Sequence, residues 1–300
     1  LDEDSDILSI RDAIRLSAHV LGEDKRQFKS QLLGRLNKNL LSGLIENCDH
    51  EVENPQSIWL HPINSSLTQS YSGQIRTFKG HSSDIRKIVV DKNNDGFYSC
   101  SSDGTIRYWD VSGKLQEVIV NKPNEDILSL SLSPDGSCLL FPISNEVVIW
   151  DIKNKETIGK FTGHKDSIWD IKISQKNNMV LTASQDCTVK IWDFKTQKLV
   201  YAIDAHNDQV RALALLNNDK HILSAGEDGE IIKSSLKTGN VINSITSNQE
   251  MVLALEVIQY NSLIVSAGFD GTIRIWNVDT GEECYRLSDH NGPVDTISYN

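Results

Sequence analysis

The chain has 300 residues, 39% of them hydrophobic, and a formal net charge of −11 at pH 7. This length allows a large buried core, and the acidic charge disfavours nucleic acid and anionic lipid as partners because like charges repel. Five cysteines without a C-x-x-C pair argue against a disulfide framework or a zinc site and favour a reducing, cytoplasmic location. No apolar run approaches the roughly 20 residues that span a bilayer.

The first fifty residues have a helical pattern. Apolar side chains recur at helical spacing over residues 7–48, Asp6 can cap a first helix and Gly22 can end it. We therefore predict that residues 1–50 form a helical segment joining the rest of the chain to an upstream domain, because amphipathic stripes usually pack on a core. The polar stretch 51–73 is predicted to be a linker.

From residue 74 to residue 300 the pattern is all β and periodic. Short β-branched runs alternate with turn dipeptides, and a Trp followed by Asp or Asn recurs at intervals of 41, 42 and 84 residues. Because 84 is twice 42, one member is missing, and Ser234 stands at its position. The recurring tryptophans are Trp109, Trp150, Trp192 and Trp276.

Four histidines follow the same period. They lie 83, 42 and 84 residues apart, and the first three precede the Trp position of their repeat by 28 residues. This spacing predicts five complete repeats and the first strand of a sixth, from Val294 to Tyr299. Because the chain lacks a first Met and stops within that strand, we expect a longer polypeptide. The histidines are His81, His164, His206 and His290.

Short signatures within these repeats resemble those of WD-repeat propellers. They include Gly80-His81, the run 101–110 ending in Trp109-Asp110, and Gly163-His164 with a later Trp-Asp pair. The resemblance covers about residues 74–300 and implies blades of four antiparallel strands around a channel. It predicts a mainly β fold, a WD-repeat β-propeller with five complete blades and the start of a sixth, part of a seven-bladed ring, after a short α-helical segment.

His, Ser and Asp are also the residue types of a hydrolase triad. Here they recur at the same offsets in several repeats, whereas a nucleophile is needed once. The resemblance implies a buried structural relay in which Asp orients His, His bonds a hydroxyl, and the hydroxyl meets the Trp indole, so we expect no enzyme, no cofactor and no metal. The relay positions are His81, Ser99, Asp103 and Trp109; His164, Thr182, Asp186 and Trp192; His206, Ser224 and Asp228; and Ser266, Asp270 and Trp276.

Three repeats depart from this pattern. The second keeps only Trp150, with Lys122 and Pro123 where His is expected and Ser144 near the Asp position. The fourth lacks Trp, and the fifth has Asn248 at the His position. We therefore predict that the second blade is the weaker one.

Positions for partner contacts follow from the resemblance. In related propellers, including the β subunits of heterotrimeric G proteins, contacts often come from the third and fifth residues after His. Trp169, Arg86 and Arg211 are the strongest candidates, since Trp and Arg dominate interface hot spots; the alternative is that Trp169 packs on the next blade. The full set is Asp84 and Arg86, Ser167 and Trp169, Gln209 and Arg211, Met251 and Leu253, Pro293 and Asp295, and Asp126 and Leu128 in the shortened second repeat.

The N-terminal residues carry a second resemblance. Residues 10–21 and 31–36, Trp59-Leu60-His61-Pro62 and Ser66-Leu67-Thr68 resemble a joining segment of bacterial NACHT/STAND-type signalling proteins. In those proteins it joins an NTPase or death-domain-like signalling region to the propeller. No G-x-x-x-x-G-K-[ST] occurs, so a nucleotide site would lie upstream of Leu1. The resemblance implies a protein-binding scaffold or sensor, the C-terminal regulatory part of a signalling NTPase, in contact with that upstream domain.

Other functions stay open at this point. A free-standing WD-repeat adaptor would use the same surface without an upstream domain. An enzyme propeller would need metal ligands or cofactor-stacking residues that converge on the channel, whereas the recurring Asp residues are accounted for by the relay and the turns. A nucleic-acid reader is disfavoured by the net charge.

Overall fold

The computed structural model describes residues 77–111, 114–174, 176–216, 219–258 and 263–298. The predicted helical segment and linker, residues 1–73, lie outside these ranges. Inside them, twenty strands form five four-stranded antiparallel sheets and no helix occurs. The described residues therefore include no helix that could cross a membrane. The mainly β prediction with five complete blades is confirmed.

Each sheet is one blade, and its strands are neighbours in the order in which they occur in the chain. The blades are β1 (Ile85–Val90), β2 (Gly96–Ser101), β3 (Thr105–Asp110) and β4 (Leu115–Asn121); β5 (Ser131–Leu132), β6 (Cys138–Ile143), β7 (Glu146–Asp151) and β8 (Glu156–Thr162); β9 (Ile168–Ile173), β10 (Met179–Ser184), β11 (Val189–Asp193) and β12 (Lys198–Ile203); β13 (Val210–Leu215), β14 (His221–Gly226), β15 (Glu230–Ser235) and β16 (Val241–Thr246); and β17 (Val252–Ile258), β18 (Leu263–Gly268), β19 (Ile273–Asn277) and β20 (Glu283–Leu287).

The hydrophobic core lies between the blades. Val147 and Phe161 of the second blade pack in one cluster with Ile168, Ile171 and Trp192 of the third. Similar clusters join the first blade to the second, the third to the fourth and the fourth to the fifth. Each blade therefore buries its apolar faces only against its neighbours, as expected for a stacked repeat.

The first strand of the second blade is much shorter than the others. β5 has two residues, and its ladder consists of Ser131 with Leu140 and Leu132 with Leu139. The carbonyl of Cys138 accepts from the N–H of Ser133, so the backbone polar groups of Cys138 point toward β5. In an antiparallel ladder the polar groups of every second residue point toward the same neighbouring strand. Pro142 therefore faces β5 as well, and it has no N–H to continue the ladder. The second blade is held by fewer backbone bonds along the channel.

Residues 294–298 occupy the place where a sixth blade would begin. The N–H of Val294 donates to the carbonyl of Gly268 at 3.2 Å, and the N–H of Ile127 donates to Ser101 in the same way at 3.4 Å. Donor and acceptor are twenty-six residues apart in both cases. The described part of this segment has no strand ladder, since a ladder requires a second strand beside it.

Candidate functional site

The relay geometry is complete in the third blade. His164 Nδ1 donates to Asp186 at 2.8 Å, and the hydroxyl of Thr182 donates to His164 Nε2 at 2.7 Å. The indole N–H of Trp192 donates to the same hydroxyl at 2.9 Å. The first blade brings together His81 and Asp103 at 2.9 Å, His81 and Ser99 at 2.7 Å, and Trp109 and Ser99 at 2.8 Å.

The charges of this relay are fixed by its surroundings. Burial lowers the pKa of His164 below its ordinary value of 6.5, which keeps the ring neutral so that Nε2 can accept. Burial alone would raise the pKa of Asp186, but hydrogen bonds from Thr188, the N–H of Lys165 and His164 hold it well below 3.8. The relay is therefore a neutral imidazole between a carboxylate and a hydroxyl.

The fourth blade keeps three members of the relay. His206 lies 2.9 Å from Asp228 and 2.8 Å from the hydroxyl of Ser224. Ser234 occupies the Trp position and is buried, and its hydroxyl has no hydrogen-bond partner within the described residues. The relay of this blade ends at Ser224.

The fifth blade corrects one prediction from the sequence. Asn248 does not take the place of His; Gln249 does, and Gln249 accepts from Ser266 at 2.6 Å while Trp276 donates to Ser266 at 2.9 Å. Asn248 has a φ of 52°, a left-handed conformation that Asn tolerates. The next residue along the chain therefore enters the relay, and it reaches Asp270 through the hydroxyl of Thr272.

The second blade has no relay. The indole nitrogen of Trp150 is buried without a hydrogen-bond partner within the described residues. The position that holds Ser or Thr in the other blades is Leu140, which is fully buried and has no hydroxyl. Ser144 instead donates to Glu125 at 3.4 Å on the surface.

Two further relay positions escaped the sequence analysis. Thr188 donates to Asp186 at 2.6 Å, and the ammonium of Lys190 lies 3.4 Å from the same carboxylate. The repeat period could have identified these positions, because Thr recurs two positions after Asp and Lys or Arg recurs two positions before Trp. The corresponding pairs are Thr105 and Arg107 in the first blade and Thr272 and Arg274 in the fifth, whereas the fourth blade has Glu230 and Ile232.

The predicted contact positions fall into two groups. One group lines a single cavity of about 880 Å³ on the channel side of the first strands, and we call these residues the cavity rim. The other group does not line that cavity. The rim comprises Asp84, Arg86, Leu128, Trp169, Arg211, Leu253 and Asp295, and the second group comprises Asp126, Ser167, Gln209, Met251 and Pro293.

Trp169 and Arg211 form the most ordered part of the rim. The guanidinium carbon of Arg211 lies 3.6 Å from the ring centroid of Trp169, a cation–π contact. The indole N–H of Trp169 donates to Gln209 at 3.1 Å, and Arg211 Nε donates to Glu227 at 2.7 Å. Trp169 thus contacts the next blade and also keeps part of its surface open to the cavity.

Arg86 is the more open of the two rim arginines. Its Nε donates to Ser102 at 2.8 Å, and the nearest carboxylate oxygen, on Asp84, lies 3.9 Å from Nη2. The Arg86 side chain is 40% exposed. Within the described residues no group of three or more His, Cys, Asp or Glu could hold a metal ion. The rim offers aromatic, aliphatic and guanidinium groups for noncovalent contacts.

Two curated proteins with similar sequences have names that refer to pre-mRNA processing and to the U3 snoRNP. "Pre-mRNA-processing factor 19 homolog 2" of Arabidopsis thaliana is 32% identical over 132 residues, 43% of this chain and 24% of that protein. "U3 snoRNP-associated protein-like YAOH" of Oryza sativa subsp. japonica is 29% identical over 106 residues, 29% of this chain and 21% of that protein. This chain therefore spans about a quarter or less of the length of these relatives.

Solved structures show the same fold. "Structure of U3-55K" matches with a TM-score of 0.64 and 22% identity over 71% of this chain and 67% of that chain. "Crystal structure of RRP9 WD40 repeats" matches with a TM-score of 0.65 and 23% identity over 71% and 66%. The WD domain, G-beta repeat family matches residues 72–110, 155–193, 197–232 and 239–277 and leaves out the second repeat. Because these four stretches are slightly more than half of the sequence and fall on the blades described above, the chain belongs to the WD-repeat family.

Proposed function

We propose that this chain is a protein-binding scaffold or sensor whose partner docks on the cavity rim. The observation that carries the proposal is the convergence of Trp169 and Arg211 with rim residues of the other blades in one cavity. Trp and Arg at the centre of a surface are the residue types that contribute most to protein interfaces. A catalytic role has no support in the relay hydroxyls, which are already bonded to His and Trp.

The rim is ordered before a partner arrives. Gln209 holds the indole of Trp169, and Glu227 holds the guanidinium of Arg211. A side chain that is already fixed loses less conformational entropy when it is covered by a partner. The rim therefore has the properties of a preorganised docking surface.

The names of the relatives support a scaffold in a larger assembly. They refer to pre-mRNA processing and to the U3 snoRNP. The net charge of −11 favours a protein component of such an assembly over RNA as the direct partner.

The narrower role as the regulatory part of a cytoplasmic signalling NTPase rests on the resemblance of residues 10–68, which lie outside the described residues. That role requires nucleotide hydrolysis by the full polypeptide, restrained by the propeller. Deleting residues 74–300 from the full polypeptide would then raise its hydrolysis rate, and an unchanged rate would contradict the role.

The docking surface can be tested by site-specific photocrosslinking in cells. A photoreactive phenylalanine at Trp169 should give a discrete protein adduct, and the same residue at Ile158, which is 46% exposed on β8 and outside the cavity, should not. With the identified partner purified, Arg211→Ala should weaken binding at least tenfold, about 1.4 kcal/mol. Equal adducts at both positions, or adducts with RNA alone, would contradict the proposed docking surface.

A further inference from the structure

A chain of polar contacts connects the first strands of neighbouring blades along the channel. Lys87 of β1 donates to Asp170 of β9, to Ser129 at 3.0 Å and to the carbonyl of Ile171 at 3.4 Å. Ser129 donates to Asp170 at 3.0 Å, and the N–H of Leu213 in β13 donates to the other carboxylate oxygen at 3.1 Å. Four blades are thus joined through two charged side chains and one hydroxyl.

This network is largely buried and internally satisfied. Ser129 is fully buried, and the side chains of Lys87 and Asp170 are 26% and 13% exposed. Three acceptors surround the ammonium, which has three donors. Burial would raise the pKa of Asp170, but the Lys87 ammonium and nearby Lys172 hold it below the ordinary value. Ion pairs in such surroundings persist only when their hydrogen bonds are complete.

Each network residue directly follows a residue of the cavity rim. Consecutive Cα atoms are about 3.8 Å apart across a trans peptide, so a fixed backbone at one residue also fixes its neighbour. The three rim residues lie on three different blades, and among the described strands no backbone ladder links those blades to each other. The pairs are Arg86 before Lys87, Leu128 before Ser129, and Trp169 before Asp170.

We propose that Lys87, Ser129 and Asp170 form a latch that positions the three preceding rim residues as one contact surface. The proposal rests on the proposed function of the rim as the docking surface. The latch is needed most at Leu128, because β5 is short and the ladder does not reach that residue. Its members are positioning residues, since their polar atoms are already bonded to one another.

The latch can be tested without a partner by ¹⁹F NMR of protein labelled with 5-fluorotryptophan. The chain has six tryptophans, and Trp169→Phe assigns the line of Trp169. Lys87→Met should shift or broaden that line by more than its width and leave the line of Trp276 in the fifth blade unchanged. Lys172→Met is the matched control, because the Lys172 side chain lines the same cavity and acts on Asp170 by its charge alone, with no side-chain hydrogen bond within the described part of the chain.

The latch is overturned if the Trp169 line has the same chemical shift and width in Lys87→Met as in Lys172→Met. If Lys87→Met does not fold, Ser129→Ala retains the ion pair and should move the line in a smaller but measurable way; no movement would again overturn it. Lys87→Arg, which keeps the charge, should restore most of the original position. Failure here would leave the docking surface standing, whereas failure of the crosslinking experiment would leave the coupling of the three rim residues standing and remove its role in docking.

Discussion

The second and third blades are built from the same repeat and differ in what holds them together. In the third blade, His164, Thr182, Asp186 and Trp192 form a continuous hydrogen-bonded relay. In the second blade the indole of Trp150 has no partner within the described residues, and yet the four-stranded sheet is present. The comparison indicates that burial between neighbouring blades is sufficient for the fold, and that the relay adds stability to individual blades.

The largest expected difference between the two blades comes from removing a carboxylate. Asp186→Ala should lower the free energy of unfolding by about 3 kcal/mol, because it leaves His164 buried without its acceptor. Ser144→Ala in the second blade should change it by less than about 0.5 kcal/mol, since the Ser144 hydroxyl bonds only to Glu125 at the surface and the substitution keeps the backbone bonds. Urea denaturation of both variants measures the difference, and equal midpoints would refute the stabilising role of the relay.

A change of pH should act on the third blade in a defined direction. The pKa of His164 is lowered from 6.5 and that of Asp186 from 3.8, so the unfolded chain binds more protons than the folded chain below these values. Stability should therefore be greatest above pH 6.5, decline as the pH falls below it, and decline more steeply below about pH 4.

The contribution of the imidazole can be separated by substitution. His164→Gln removes the titrating ring, so its denaturation midpoint should change less between pH 7 and pH 5 than that of the original protein. The quantity compared is the slope of the denaturation midpoint against pH, which does not depend on the overall loss of stability caused by the substitution. An equally steep decline in His164→Gln would assign the pH dependence to other groups.

The smallest expected effect is the difference in stability loss between two tryptophan substitutions. Trp192→Phe removes the N–H that donates to Thr182 and should cost about 1 kcal/mol beyond the loss of ring volume. Trp150→Phe removes a buried N–H without a partner in the described structure and should cost less, because the lost volume is offset by relief of an unsatisfied donor. Thermal unfolding of the pair checks this order, and a larger loss for Trp150→Phe would contradict it.

The sequence predicted the features that depend on the repeat period. The repeat positions and the loss of Trp at Ser234 follow from fixed intervals along the chain, whereas the blades and the relay of the third repeat were implied by the resemblance to WD-repeat propellers. Gln249 was missed because the substitute lies one residue away from the expected position, and only the left-handed backbone of Asn248 brings it into the relay. Fixed intervals cannot show such a local change of backbone direction.

The repeat period also could not predict which side chains of different repeats contact one another. Lys87 and Asp170 occupy equivalent positions in the first and third repeats, where the fourth and fifth have Ala. The pattern could mark them as unusual, but their pairing depends on the distance between two blades. The stacking of Arg211 on Trp169 likewise arises from the packing of adjacent blades.

Pro142 has a consequence for motion as well as for structure. Because the β5 ladder ends early, fewer backbone bonds must break to separate the channel side of the second blade from β6. Local opening begins where the fewest such bonds hold a segment, and exposed amides there exchange fastest with solvent. We expect hydrogen exchange near residues 125–130 to be the fastest among the channel segments of the blades. We expect the first and third blades to stay joined through Lys87 and Asp170 during such openings, which would confine the opening to the second blade.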